Sequence, residues 1–305
     1  MPCDLKLVGA PGFEPGTSPT RTARATRLRH APRPNEYGKV AAGARRRYVP
    51  GVAQLTAILA HLDELLDPAS FPDYCPNGLQ VPGREEVATI VTAVSAGADL
   101  FEQAIAAGAD AILVHHGLFW KGAPLQLDRP ARRRLKLLFD ADVSLLAYHL
   151  PLDAHPEHGN NALLAAAIGA ASWDPLTTAS GPSIGVTATL PGDGIDVTQL
   201  IARTQAAVGG REPLAFTAGP ERIRSVAIVS GGGSGYLGDA IAADADAFIT
   251  GEPTERVVNQ ATESAIHYLA AGHYATETLG VRRLGELLCA KFGIEHEFID
   301  VPNPI

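Results

Sequence analysis

Asp110-Ala-Ile-Leu-Val-His115-His116-Gly117 decides how the rest of the chain is read. Four consecutive apolar residues bounded by an acid and by His-His-Gly describe a strand buried on both faces, which requires a sheet covered on both sides by helices. Inside a strand, neighbouring side chains point to opposite faces. At a strand end followed by glycine, the chain can turn and aim both imidazoles into one crevice. Similar short β-rich runs recur at Thr89–Val94, Ser144–Tyr148, Gly185–Leu190, Ser225–Val229, Ala247–Thr250, His267–Ala270 and Glu295–Ile299. Helical periodicity lies between them at about 99–107, 130–141, 160–168, 196–208, 236–243, 254–264 and 274–292. An opening amphipathic helix carries Val52, Leu55, Leu59, Leu62 and Leu66 and stops at Asp67-Pro68. The alternation predicts an α/β protein with mainly parallel sheets flanked by helices. It has an N-terminal lobe over 51–176, a small-residue junction at Thr177–Ser183 and a C-terminal lobe over 184–305.

Ligands in such folds collect beyond the carboxyl ends of strands. Three strand ends carry suitable chemistry: His115-His116, then His149-Leu-Pro-Leu-Asp153, then His273-Tyr-Ala-Thr-Glu277. A single such histidine is more commonly a satisfied polar group; three clusters at three strand ends are harder to obtain by chance. Imidazole and carboxylate together suit Zn, Mn, Fe or Ni better than Ca. Five donors (His115, His116, Asp153, His273 and Glu277) exceed what one catalytic zinc needs and suit two divalent metal ions with a bridging carboxylate.

Ser230-Gly-Gly-Gly-Ser-Gly235 follows another strand and contains GxGxxG at Gly233, Gly235 and Gly238. A dinucleotide fingerprint wants an acid about 20 residues on, whereas Glu252 lies fourteen beyond Gly238 and the loop comes late in the chain. Gly231, Gly232 and Gly233 are therefore read as a backbone cradle for an anionic group of a substrate. The loop Asp73–Gln80, with Asn77 as a substrate contact, is expected to close over the same crevice. Phe119-Trp120 offers either an apolar wall or core packing, and His149 is the candidate for proton transfer. Cys75 has no base partner at fixed spacing, and no GxSxG elbow or Walker A sequence occurs.

The formal charge of -8 conceals a division. Residues 1–50 hold ten of the 25 basic residues but only three of the 33 acidic ones, so they carry +7 and the remainder -15. Rich in proline and arginine and without apolar periodicity, the first fifty residues read as a disordered basic tail or as a start placed too far upstream. The acidic remainder argues against nucleic acid as a partner. Three distant cysteines form no disulfide framework, which favours a cytoplasmic setting. The longest nearly apolar run, ten residues from Ala162 to Ala171, is too short for a membrane span of about 20 residues.

Tyr74-Cys-Pro-Asn-Gly-Leu-Gln-Val81, His115-His116-Gly117, Tyr148-His-Leu-Pro-Leu-Asp153, Asn160-Asn161, Phe248-Ile-Thr-Gly-Glu252 and Gly272-His-Tyr-Ala-Thr-Glu277 occur in this order. Together they resemble the GTP cyclohydrolase I type 2 homologues, also called NIF-three-like proteins, from about Val52 to Ile305. The resemblance implies two related α/β lobes, a metal site between them at the strand ends and a homohexameric ring. It also implies that Glu277 bridges two ions, with His116 and Asp153 on one and His115 and His273 on the other. Some members carry a domain inserted between the lobes, and the short connection from Asp174 to Ile184 has no room for one. The expected function is a metal-dependent hydrolase acting on a small anionic, nucleotide-like or phosphorylated substrate. The alternative is a non-catalytic metal-binding ring scaffold or metal chaperone.

Overall fold

The computed structural model describes residues 51–305 except position 180, so the tail reading at 1–50 lies outside the described residues. The chain opens with β1 (Ala53–Gln54), α1 (Leu55–Leu66), β2 (Gly78–Val81), β3 (Glu86–Val87), β4 (Thr89–Ser95), α2 (Ala98–Ala106), β5 (Ala111–His116), α3 (Arg129–Ala141) and β6 (Ser144–Ala147). It continues through α4 (Leu150–Ala154), α5 (Asn160–Ala167), β7 (Ser172–Pro175), β8 (Val186–Thr189), α6 (Val197–Ala207), β9 (Leu214–Thr217), β10 (Ser225–Val229), α7 (Leu237–Ala242) and β11 (Ala247–Thr250). The last elements are α8 (Val257–Glu263), β12 (His267–Ala270), α9 (His273–Thr276), α10 (Thr278–Phe292) and β13 (Glu295–Phe298).

Two sheets dominate, ordered β13-β4-β5-β6-β2 and β7-β8-β10-β11-β12-β9. In the first, β13, β4, β5 and β6 run parallel and β2 is antiparallel at one edge. In the second, β10, β11 and β12 run parallel, with antiparallel strands on both sides. The apolar run of β5 explains the layering. Ala111 and Leu113 face a core built with α1 and α10, while Ile112 and Val114 face one built with α2 and α3. Alternation over two buried faces makes each strand apolar throughout. The second sheet repeats this, with Val226, Ile228 and Ile249 toward α5 and α6, and Ala227, Val229 and Phe248 toward α7 and α8.

The halves are related in detail. Asp110 opens β5 and its Oδ2 accepts from the backbone N–H groups of Ala88 and Thr89, at the start of β4. Asp246 opens β11 and does the same for Arg224 and Ser225 at the start of β10. Beyond the third parallel strand, His149 and Asp153 in one half correspond to His273 and Glu277 in the other.

The lobe boundaries expected at 176 and 184 do not hold. Strand β7 pairs with β8, and α5 buries Ala162, Leu164 and Ala165 in the second core. At the far end β13 pairs with β4, and α10 buries Val281, Leu284 and Leu288 in the first core. The chain thus crosses between the halves twice. Hydrophobic period identifies a strand but not its neighbour in the sheet. Among the described residues, no helix is long and apolar enough to cross a membrane.

Candidate metal centre

The five donors expected from sequence converge where the two halves meet. His115 and His116 end β5, Asp153 lies in α4, His273 opens α9, and Glu277 follows it. His115 Nε2 stands 3.5 Å from both Asp153 Oδ2 and Glu277 Oε1. His116 Nε2 is 3.3 Å from Glu277 Oε2, and His273 Nε2 is 3.3 Å from Glu277 Oε1. Besides the three imidazoles of His115, His116 and His149, two donor sets include a carboxylate, His115 with Asp153 and Glu277, and His116 with His273 and Glu277, and the atoms of each set lie within 4.8 Å of one another. Glu277 belongs to both. The resemblance implies a different grouping, His116 with Asp153 and His115 with His273. Consecutive residues on β5 part company, and His115, fully buried, takes the inner position beside Asp153.

Each imidazole is anchored by its outer nitrogen. His115 Nδ1 donates to the Tyr148 carbonyl at 3.0 Å, and His116 Nδ1 bonds Ser95 Oγ at 3.0 Å. His273 Nδ1 bonds the Glu252 carboxylate, and His149 Nδ1 bonds Asp73 Oδ1 at 2.8 Å. A histidine held at one nitrogen presents the other in a fixed direction, the arrangement that orients metal-binding imidazoles. Asp153 is treated likewise. Its Oδ1 accepts from Asn160 Nδ2 and Ser230 Oγ, which leaves Oδ2 toward His115. Within the cluster, His115 Nε2 and Glu277 Oε2 are buried without a hydrogen-bond partner. Buried polar atoms are rarely left unpaired. Orphaned atoms within a mixed nitrogen–oxygen donor set fit a divalent cation.

The electrostatics agree. Burial pulls the His115 imidazole down, but the Asp153 and Glu277 carboxylates outweigh it and raise it to about 9. His273, opposed by burial and raised by Glu277 and Glu252, also reaches about 9. His116 is pushed down to about 3 by burial and by the neighbouring imidazoles, against the pull of Glu277. Glu277, despite burial, is held well below the carboxylate range by His115, His116 and His273. Burial raises Asp153. Protons on His115 and His273 thus neutralise the buried carboxylates, and a bound cation would take over that task.

His149 also reaches the cluster, with its ring 4.9 Å from that of His115 and 5.6 Å from that of His116. Its orientation depends on Asp73, a residue to which the sequence pattern assigns no role of its own. Asp73 also accepts from the N–H groups of Tyr74, Cys75 and Leu150 and from Asn77 Nδ2. The signal is an Asp heading a Pro-Asn-Gly loop, a position that bonds the backbone just ahead of it. Glu252 and Ser95, likewise without a role assigned from sequence, sit at the ends of β11 and β4, where the strand-end rule looks.

The expected substrate contacts change character. Asn77 spends Nδ2 on Asp73 and Oδ1 on the His149 N–H, so it positions the proton carrier. Gly231 donates its N–H to Thr276 Oγ1 and is not a free cradle donor. It makes room instead: its φ is +60°, and a Cβ there would lie 2.1 Å from Glu277 Oε1. Gly233 is buried against Val229 and Thr250, which leaves exposed Gly232, beside His273, as the glycine of the three still placed to meet a ligand. At Gly231, what the missing side chain serves is the close approach of the loop to Glu277.

The two adjacent asparagines, Asn160 and Asn161, tie the halves together under the cluster. Asn161 Nδ2 donates to the carbonyls of Asp153 and Ile184, and Oδ1 accepts from Ser230 N–H at 2.7 Å. Asn161→Ala leaves these groups buried and unpaired, with an expected loss of about 2–4 kcal/mol in urea unfolding. A loss below about 1 kcal/mol would show that the groups find other partners.

Fold and site together define a two-lobed α/β protein with a histidine–carboxylate cluster suited to divalent metal at its inter-lobe edge. The family model for Duf34/NIF3 (NGG1p interacting factor 3) matches residues 53–304, and the chain belongs to this family. A Pseudomonas aeruginosa protein called GTP cyclohydrolase 1 type 2 homolog is 47% identical over 255 residues, covering 82% of this chain and 98% of the relative. Its Escherichia coli K12 namesake is 43% identical over 246 residues, covering 80% and 96%. Among solved structures, protein ybgI superposes with a TM-score of 0.77 at 40% identity, covering 83% of this chain and all of that one. A second solved structure, TTHA1606 from Thermus thermophilus, gives 0.75 at 37% identity, with the same coverage.

Proposed function

We propose that the chain is a metal-dependent hydrolase that holds two divalent ions and acts on a nucleotide-like or phosphorylated substrate. The observation that carries this reading is the convergence of anchored imidazoles on a carboxylate common to two donor sets, with two cluster atoms buried and unpaired. His115, Asp153 and Glu277 would hold one ion and His116, His273 and Glu277 the other. Bound there, such ions supply Lewis-acid polarisation of the substrate and acidify water. The chain itself orients the remaining chemistry. Asp73 keeps the His149 proton on Nδ1, so Nε2 is the atom that accepts a proton from water and returns it to a leaving group. The relatives called GTP cyclohydrolase 1 type 2 homolog support a nucleotide as the substrate class. A homohexameric cytoplasmic protein is part of the same reading; unpaired Cys75 and Cys289 are in keeping with a reducing compartment.

The test pairs metal analysis with a nucleotide and phosphoester screen on the wild type and His115→Ala. Metal in the wild type and turnover lost together with it in the variant is the expected result. Bound metal without turnover on a broad panel would overturn the hydrolase and leave a metal-binding scaffold or chaperone.

A further inference from the structure

Beside the metal-ligating cluster lies a set of aromatic rings that proton transfer and metal binding do not use. Tyr74 stands 5.5 Å from the His149 ring and 6.3 Å from Trp120, tilted 30° to the latter. Trp120 in turn lies 5.2 Å from His149, edge-on at 80°, and 5.9 Å from His116. Tyr74 remains 53% exposed, whereas Tyr148 and Tyr268 are fully buried in the two cores. A tyrosine whose task is packing is driven out of water as those two are; Tyr74 is held at the surface instead.

It is held firmly. Tyr74 N–H bonds Asp73 Oδ1 at 2.7 Å, and the Tyr74 carbonyl accepts from Lys121 N–H at 2.7 Å. Trp120 Nε1 donates to the Gly117 carbonyl, and Gln80 joins the two loops through Pro76 O and Leu118 N–H. Both loops are thereby pinned to each other and to the residues that orient His149. Rigid aromatic side chains offer large contact area at small conformational cost, and a flat π-system is the ligand chemistry they serve best.

We infer that Tyr74 and Trp120 form a subsite that receives a planar heteroaromatic ring next to His149 and the metal-ligating cluster. The inference rests on the proposed function for the identity of the neighbouring site. It adds that the ring, not a phosphate, is the part of the substrate bound against this wall.

The chain has two tryptophans, and Trp173 is buried in the second core. A Trp173→Phe background therefore makes Trp120 the sole tryptophan reporter. Guanosine added to the full-length, metal-loaded protein should change Trp120 fluorescence saturably, and ribose 5-phosphate should not. Tyr74→Leu should weaken guanosine binding about ten-fold, within the range of stacking losses, while bound metal stays at the wild-type level. Calorimetry on the otherwise wild-type chain gives the same comparison if Trp173→Phe fails to fold. No saturable guanosine binding, an equal response to ribose 5-phosphate, or full affinity in Tyr74→Leu overturns the subsite. Guanosine binding without hydrolysis of any nucleotide overturns the hydrolase reading and leaves the subsite standing. Turnover confined to ring-free phosphoesters does the reverse.

Discussion

Glu277→Gln is expected to weaken divalent metal binding by at least about 100-fold, read by calorimetry or by metal content after dialysis. Glu277 approaches His115, His116 and His273 within 3.3–3.5 Å and is the carboxylate common to both donor sets. An amide there keeps the shape, removes the negative charge and offers only one oxygen. The pH dependence sharpens the test. His115 and His273, raised to about 9, carry protons at neutral pH that a metal must displace. Affinity in the wild type should therefore climb between about pH 6 and 8, with a slope in log K approaching two protons when both imidazoles are engaged. In Glu277→Gln the carboxylate that raises both imidazoles is gone, so the slope should fall along with the affinity. Unchanged metal content in Glu277→Gln would remove Glu277 from the centre and with it the shared-carboxylate arrangement.

The parts of this centre that sequence makes legible share a physical origin. Strands such as Ala111–His116 and Ser144–Ala147 are buried on both faces, so their apolar runs are unmistakable, and the residues that end them stand out as polar. That is why the five candidate donors can be picked out at three strand ends. What stays hidden depends on contacts between distant segments. Short edge strands β2, β7 and β9 carry mixed residues, and only their pairing partners reveal them. Nothing in the local pattern of Glu295–Phe298 says that it pairs with β4, roughly 200 residues earlier. The Gly-rich loop misleads for a related reason. A glycine that makes room for a carboxylate and one that offers its N–H to an anion look alike in sequence, and only the partner at Gly231, Thr276 Oγ1, separates them. The internal duplication leaves a trace in Ala109-Asp110-Ala111 and Ala245-Asp246-Ala247, two short strings at the starts of matching strands whose kinship shows only once the strands are placed.

Asp73→Ala carries the second large effect, and it separates positioning from ligation. The Asp73 side chain is 4% exposed and accepts from His149, Asn77 and the backbone of Tyr74, Cys75 and Leu150. Truncation strands several of these donors, for an expected loss of roughly 2–4 kcal/mol in urea unfolding at about pH 7. Burial alone would raise this carboxyl, but the hydrogen bonds from His149 and Cys75 outweigh it and hold it at about 2. A depressed carboxyl stabilises the fold above its unfolded value near 3.8 and loses that contribution as pH falls toward 2. The ionisation part amounts to about 2 kcal/mol, so the gap in stability between wild type and Asp73→Ala should narrow as pH falls below about 4. Metal content at neutral pH should persist, because Asp73 holds His149 rather than any of the five donors. Turnover on whichever substrate the screen identifies should fall roughly 100-fold or more, the scale seen when a catalytic imidazole loses the carboxylate that fixes its tautomer. Asp73→Asn, which keeps an acceptor oxygen for His149 without the charge, should recover part of the stability and little of the rate. Loss of metal in either variant would place His149 among the ligands and remove it from proton transfer; full turnover in Asp73→Ala would remove the Asp73–His149 pair from the chemistry.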